Sequence, residues 1–166
     1  MESRDLLLTA FDDVEEAVRG ALDGIDPALL TARIDPEANT IAWLVWHLTR
    51  VQDDHVADAA GSEQVWTSQG WAARFALPLD DAETGYGATA EEVAAVRADA
   101  ELLAGYHAAV HARTAEVLRG LSAEDLDRVV DERWDPPVTF GVRLVSVVSD
   151  DLQHAGQAGY VRGLLS

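Results

Sequence analysis

Apolar residues recur at helical spacing in four long stretches of the chain. The first runs from residue 3 to residue 23, the second from about 40 to 60, the third from about 90 to 119, and the fourth from Phe140 to Leu165. Apolar side chains that return every three or four residues are typical of an amphipathic α-helix facing a core. On the last helix the pattern predicts core positions at Leu144, Val147, Val148, Leu152, Ala155 and Val161.

Capping signals support the ends of these helices. Small polar residues are favoured at helix N-caps, and glycine is favoured just after the last turn. The expected N-caps are Ser3 for the first helix, Asn39 or Thr40 for the second, and Thr89 paired with Glu92 for the third; the expected stops are Gly24, Gly61 and Gly120.

The connection over residues 61–88 is the longest irregular stretch, and it is rich in aromatic residues. Long loops of this kind usually pack over something, so we expect it to cover part of the bundle, with a short helix around Gln69 to Phe75. The segment ERWDPPV, residues 132–138, is excluded from a helix by its two prolines. No segment alternates as a strand. These features predict an all-α fold, a four-helix bundle with long decorated connections in a single domain spanning residues 1–166.

Composition narrows the classes of partner. The formal net charge is −18, and all twelve basic residues are arginine. Because so acidic a surface repels phosphate backbones, nucleic acid and anionic membranes are not expected partners. The chain has no cysteine, which excludes disulfides and cysteine metal sites. An acidic N-terminus without a long apolar run is not typical of a signal peptide, so we expect a cytoplasmic protein.

A polar seam interrupts the apolar stripe of the last helix. Asp150, His154 and Gln157 lie four and three residues apart and therefore share one face of the helix. Val147 and Val161 lie on the same side, so the seam is expected to point inward. A buried carboxylate and imidazole must be paired, hydrogen-bonded or bound to a metal ion.

The second helix supplies a matching histidine. His47 lies in an apolar stripe with Trp43, Leu44 and Val51. Together with Asp150 and His154 it would offer two imidazoles and one carboxylate from two helices, the donor set of a catalytic zinc-type site with an open position. The alternative is that these are core polar residues that hydrogen-bond to one another.

The other polar candidates favour simpler interpretations. His107 and His111 form a bare HxxxH pair on the third helix, which we interpret as solvated. His55 follows two aspartates and is expected at the surface or behind a ligand. Gln157 could orient a ligand, bind substrate or satisfy a core hydrogen bond. The tryptophans are expected to be mostly core residues.

Two stretches carry a resemblance to a known family. WLVWHLTRVQDDHVADAAG on the second helix and DDLQHAGQAGYVRG on the last resemble the DinB-like superfamily. The resemblance is closer to its actinobacterial branch, which includes mycothiol-dependent enzymes such as the N-terminal domain of maleylpyruvate isomerase. Members are four-helix bundles that bind one divalent metal through a helix-two histidine, matching His47, and two residues of the last helix, matching Asp150 and His154. This sequence has aspartate at position 150, where relatives carry histidine or glutamate.

The resemblance implies a metal-dependent transferase that activates a low-molecular-weight thiol such as mycothiol, as a metal-bound thiolate, for attack on a small electrophile. The implied metal is zinc, or nickel as a second choice. Gln157 and Trp43 would line the substrate site, under the 61–88 loop. The isomerase relatives have a further C-terminal domain that completes their active site, and the bundle here is followed by no such residues, so isomerisation is not carried over. The alternative is a non-catalytic metal- or ligand-binding bundle related to stress. Monomer and homodimer both stay open.

Overall fold

The computed structural model describes residues 2–166 and confirms the all-α four-helix bundle. Its long helices are α1 (Ser3–Leu22), α2 (Ile41–Ala60), α6 (Ala100–Gly120) and α7 (Phe140–Leu165). Both α6 and α7 pack against α1 and against α2, so α1 and α2 face each other across the diagonal. The α2–α7 contact is the most extensive of these, and it is the contact that carries the candidate site.

The predicted third helix is interrupted. Thr89 and Glu92 form the expected capping box, but this box starts a short helix, α5 (Ala90–Ala95). The chain becomes extended at Val96, and the Asp99 side chain then accepts a hydrogen bond from the Leu102 amide to begin α6. Aspartate favours an N-cap over a helix interior, since its carboxylate bonds to nearby backbone N–H groups. The prediction of one continuous helix from residue 90 to 119 was therefore wrong.

The connections also contain small elements. The 61–88 stretch holds α3 (Val65–Ser68) and α4 (Trp71–Phe75), so the short helix expected over 69–75 begins at Trp71, after Gly70 at φ +73°. Single 3₁₀ turns occupy Pro27–Leu30 and Glu124–Asp127. A two-stranded antiparallel sheet, β1 (Val129–Asp131) and β2 (Val138–Thr139), flanks the proline-rich segment. The sequence did not predict these strands because two or three residues are too few to show alternation.

The helix ends largely follow the predicted signals. Thr40 caps α2 through a hydrogen bond from the Trp43 amide, and Gly61 ends it in the left-handed conformation. At α1 the cap is Glu2, which forms a capping box with Asp5, and Ser3 is already helical. The cap lies one residue before the predicted Ser3, and the Glu2 backbone N–H donates to Oδ2 of Asp5 at 3.1 Å.

Two clusters of buried apolar side chains form the core. The larger joins α1, α2 and α6 to the α3–α4 connection, and the smaller joins Phe11, Val56 and Leu118 to the first two turns of α7. Leu152, predicted for the core, is 41% exposed, and Trp134 is 64% exposed. Within the described residues no helix is both long enough and apolar enough to span a bilayer.

Candidate metal centre

Three side chains from two helices converge where α2 packs against α7. His47, Asp150 and His154 each offer one ligand atom, and these atoms all lie within 4.8 Å of one another. The His47 and His154 ring centroids are 4.8 Å apart at 73°, and His154 Nε2 lies 3.7 Å from Asp150 Oδ1. The structure therefore brings together the residues that the sequence pattern singled out.

A backbone carbonyl fixes the orientation of the His47 ring. Nδ1 of His47 lies 2.5 Å from the Thr84 carbonyl oxygen, which can only accept, so Nδ1 carries the proton and donates it. Burial lowers the pKa of His47, with the Thr84 hydrogen bond opposing that effect. The ring is thus neutral near pH 7, with Nε2 as its lone-pair nitrogen, which is the form that binds a metal.

The second imidazole is oriented in the same way. Nδ1 of His154 lies 3.0 Å from Oε1 of Gln157, one turn further along α7. Donation from Nδ1 to this amide oxygen leaves Nε2 of His154 as the lone-pair nitrogen, on the side of Asp150. The Trp43 ring stacks on His47 at a centroid distance of 4.5 Å and meets His154 edge-on at 6.1 Å. Gln157 therefore contacts one candidate ligand residue directly, and Trp43 contacts two.

The donor set fits a divalent cation. In a tetrahedral zinc site the ligand atoms lie about 2.0–2.2 Å from the ion, and hence about 3.4 Å from one another. The 3.7 Å between His154 Nε2 and Asp150 Oδ1 is close to that spacing. Oδ2 of Asp150 is a buried atom with no hydrogen-bond partner among the described residues. Burying an oxygen without a hydrogen-bond partner costs free energy. A bound cation would supply the partner that the described residues do not.

The loop that bears Thr84 is anchored by a buried arginine. Arg50 is fully buried one turn beyond His47, and its guanidinium donates to the carbonyls of Glu83 and Asp81 and to Oε1 of Gln64. The same group lies 4.9 Å from the Trp66 ring centroid. Arg50 thus fixes the backbone immediately before Thr84, and so the acceptor for His47.

Gly85 allows this backbone to approach the site. Its φ is +91°, and a Cβ placed there would lie 2.8 Å from Nδ1 of His47, 3.0 Å from the Trp46 ring and 3.2 Å from the Trp43 ring. Only glycine combines that dihedral angle with so close a contact. Sequence reasoning missed Thr84, Gly85 and Arg50; an arginine inside an apolar helical run was the one available signal.

A cavity of about 190 Å³ opens beside the cluster. The rings of Trp43 and Trp46 form one wall, and Glu83, Gly85 and Tyr86 are among the loop residues opposite. The three candidate ligands do not line it, but Trp43, which does, contacts two of them. The 61–88 stretch covers this end of the bundle as expected, although the Tyr86 ring itself is 92% exposed.

The polar seam of α7 is rotated away from its predicted position. Asp150 and His154 are half-buried and Gln157 is exposed, so the seam lies at the edge of the helix contact instead of inside the core. Asp151, its neighbour, is the fully buried carboxyl, with neither oxygen hydrogen-bonded among the described residues. Burial raises the pKa of Asp151 well above its usual value, and the Asp150 charge acts in the same direction.

The interpretation of the HxxxH pair as solvated was wrong for His107. That side chain is 2% exposed and its Nδ1 lies 3.2 Å from the Thr49 hydroxyl, because α6 turns this residue toward α2. Burial lowers the pKa of His107 to about 3. His111 is partly exposed and contacts Asp12 at 2.9 Å. His55 lies behind the centre, where its Nδ1 accepts a hydrogen bond from Arg143.

Comparisons with known proteins give the family and a structural relative. The family model described as Mycothiol-S-transferase matches residues 6–166. A solved structure described as the conserved protein of a locus from Enterococcus faecalis is 36% identical, with a TM-score of 0.91 over 98% of this chain and 96% of that one. The comparison with curated proteins gave no match.

Proposed function

Because the chain belongs to the mycothiol S-transferase family, we propose that it is a metal-dependent transferase that joins a low-molecular-weight thiol to a small electrophile. Mycothiol is the preferred thiol. His47, Asp150 and His154 are the proposed ligands, and zinc is the preferred metal. The observation that carries the proposal is the convergence of two oriented imidazoles on a carboxylate with an unpartnered buried oxygen.

The proposed reaction is a substitution or an addition at carbon. A divalent cation, when bound, lowers the pKa of a thiol that coordinates it. The thiol sulfur forms a bond to the electrophilic carbon and the thiol proton passes to solvent. Either a leaving group departs from that carbon with its electron pair, or a strained ring opens and the released oxygen takes up a proton. No oxidant or reductant is consumed.

The protein's own groups hold the donors and keep water out. Thr84 and Gln157 fix the imidazole tautomers, so both Nε2 atoms present lone pairs without rearrangement. Trp43 excludes water from one side of the His47 ring. The cavity behind Trp43 is smaller than a typical small-molecule pocket, so we assign it to one moiety of the substrate.

The rival is a bundle that binds metal or a ligand without catalysis. The same three donors support this alternative, since they could bind a metal ion without catalysing a reaction. Thiol consumption separates the two, since only the transferase converts mycothiol and a haloalkane into a thioether.

The test compares wild type with His47→Ala and His111→Ala, each loaded with zinc. The first variant removes a proposed ligand, whereas the second removes a histidine outside the cluster. We expect His47→Ala to lose about one metal equivalent and the conjugating activity, since a three-ligand site rarely survives the loss of one. Equal metal content in all three proteins would exclude the site. Normal metal loading without conjugation of mycothiol, cysteine or another small thiol would favour the non-catalytic bundle.

A further inference from the structure

The outward face of α7 carries no charge, although the chain as a whole has 42 charged residues in 166 (30 acidic and 12 basic). The helix has only four, and each is directed toward the bundle. Asp151 is buried, Asp150 belongs to the candidate metal centre, Arg143 bonds to His55 and Asp131, and Arg162 bonds to the C-terminal carbonyls of α1. A solvent-facing helix surface in so acidic a protein would ordinarily carry several charges.

Large apolar side chains are concentrated on this uncharged face. Five of the ten that are exposed within residues 2–166 lie on α7: Val142 at 56%, Val145 at 60%, Leu152 at 41%, Tyr160 at 66% and Leu164 at 54%. Such clustering marks an interaction site, whereas exposed apolar residues scattered singly are normal.

The face follows a heptad spacing. Exposed positions alternate by three and four residues at 142, 145, 149, 152, 156, 159 and 163. Over 22 residues this stripe is about 33 Å long. A stripe with this spacing stays on one side of a helix and is the seam along which a second helix packs. We call these seven positions the outer seam.

The side chains of the outer seam become smaller toward the C-terminal end of α7. Its first half holds Val142, Val145 and Leu152, and its second half holds Gly156, Gly159 and Gly163. A Cβ at any of these glycines would meet nothing within 4 Å inside the chain. Since glycine weakens a helix relative to alanine, packing within one molecule gives no reason for three of them here. Close approach of another helix does give one.

We propose that the outer seam is the interface of a homodimer, in which α7 packs antiparallel against α7 of a second copy. With a two-fold axis near Leu152, the N-terminal half of the outer seam, which holds the valines, packs against the C-terminal half of the other copy's seam, which holds the glycines. The surface is thereby complementary to itself, which a two-fold interface requires. A parallel pair would instead set valine against valine and leave a gap between the glycines.

Charge favours a second copy over other occupants. Two molecules of net charge −18 repel each other, and this repulsion is weakest where the surfaces that meet carry no charge. A basic partner would be drawn to the acidic surfaces elsewhere, and an anionic membrane would repel the whole molecule. Raising the salt concentration screens the repulsion between copies and should therefore strengthen the dimer.

The first experiment measures mass by sedimentation equilibrium. We expect wild type at twice the chain mass of 17.9 kDa, and Val145→Asp at the mass of one chain with an unchanged circular dichroism spectrum. Leu6→Asp is the control, because it places the same charge at a 57% exposed apolar position on α1. A monomeric wild type, or a dimer that persists in Val145→Asp, overturns the proposal.

A second variant separates assembly from folding. Gly159→Leu places a large side chain in the glycine half of the outer seam, and leucine has the better helix propensity. We therefore expect a monomer. Its melting temperature should be no lower than that of the Val145→Asp monomer at equal chain concentration. Gly20→Leu, at an exposed α1 glycine with nothing within 4 Å of its Cβ position, is the matched control and should remain dimeric. A dimeric Gly159→Leu protein contradicts close helix packing at this face.

Single cysteines test the direction of packing, since the chain has none of its own. Leu152→Cys, near the axis, should cross-link to its own copy under mild oxidation. Val142→Cys should not, but it should cross-link when mixed with Gly163→Cys. A disulfide requires the two Cα atoms to be about 4.4–6.8 Å apart, so efficient self-cross-linking of Val142→Cys would overturn the antiparallel arrangement.

Discussion

The Thr84 carbonyl accepts a hydrogen bond from Nδ1 of His47 across a sequence separation of 37 residues. This contact links the aromatic loop to the candidate metal centre. It selects the tautomer in which Nε2 is the lone-pair nitrogen, so the loop determines how His47 is presented to a cation. The contact depends on a glycine and an arginine, and each yields a prediction.

Gly85→Ala should weaken metal binding. The added methyl group would lie 2.8 Å from Nδ1 of His47, so the loop must move away and the Thr84 contact must lengthen. Groups that orient a metal-binding histidine typically contribute about 10–100-fold in affinity, and we expect a loss in that range by competition with a chromogenic chelator.

Gly87→Ala provides the matched control. Gly87 also has a positive φ, +70°, but its Cβ position meets nothing within 4 Å. Both variants therefore carry backbone strain in the same loop, and only one displaces His47. Equal losses of metal affinity would mean that strain alone, and not the contact with His47, explains the effect.

Arg50→Met should loosen the loop while leaving the bundle folded. The variant keeps a long apolar side chain but removes the donor to the carbonyls of Glu83 and Asp81. Each buried acceptor left unpaired costs about 1–3 kcal/mol, so residues 79–88 should exchange their amide hydrogens faster. Peptide-resolved hydrogen exchange measures this directly.

Arg74→Met is the control for that experiment. The Arg74 guanidinium lies 3.7 Å from the Trp71 ring centroid, in the same connection, and contacts none of these carbonyls. It should leave exchange over 79–88 unchanged. If Arg50→Met behaves in the same way, the loop is held by its other contacts and Arg50 has no positioning role.

His107 should make the protein sensitive to acid. Its pKa is about 3 in the folded state and about 6.5 when unfolded, so between these values the unfolded state binds more protons. Stability therefore falls as the pH is lowered from 6.5 toward 3, by at most about 1.4 kcal/mol per pH unit from this one group.

Denaturant titrations of wild type and His107→Gln at several pH values measure this contribution. Glutamine can keep a hydrogen bond to the Thr49 hydroxyl but does not titrate, so the pH slope between 6.5 and 3 should be shallower by up to one proton. His111→Gln, at a partly exposed position on the same helix, is the control for replacing a histidine of α6 by glutamine. Parallel slopes for wild type and His107→Gln would show that His107 is not buried in neutral form.

Periodicity predicted three of the four long helices nearly as they are, and it singled out the three side chains that converge; the third predicted helix is divided into α5 and α6. His47 lies within an apolar stripe of α2, and Asp150 and His154 are one helical turn apart on α7. Packing of these two helices against each other is therefore enough to bring the three side chains together. The break at Asp99 and the burial of His107 were not predictable in this way, since each depends on how far a helix is rotated against its neighbours. The Thr84 carbonyl carries no side-chain signal at all.

The same rotation explains which acidic residue of the DD pair faces the histidines. Adjacent residues on a helix point about 100° apart, so α7 can direct only one of Asp150 and Asp151 toward His47. The structure directs Asp150 there and buries Asp151 in the core. A carboxylate at position 150 is one methylene shorter than a glutamate, so its reach to a cation is the point to test.

Asp150→Asn should weaken metal binding strongly, since it keeps the size of the side chain and removes the charge that a cation requires. Asp150→Glu should retain the metal, because the longer carboxylate occupies the same face. Asp151→Asn is the matched neighbour: it makes the same substitution at the adjacent, buried aspartate outside the cluster and should bind metal as wild type does. Loss of metal in Asp151→Asn with retention in Asp150→Asn would reverse the assignment.

Affinity alone does not separate a direct ligand from a carboxylate that orients one of the imidazoles, because removing an orienting group also costs about 10–100-fold. Geometry separates them. In a crystal structure with zinc bound, a carboxylate oxygen of Asp150 should lie about 2.0–2.2 Å from the ion, alongside Nε2 of His47 and of His154. A separation near 4 Å, with a water molecule between, would leave two protein ligands. Such a centre would hold its ion weakly, and the proposed thiol activation would then require a ligand that the substrate itself supplies.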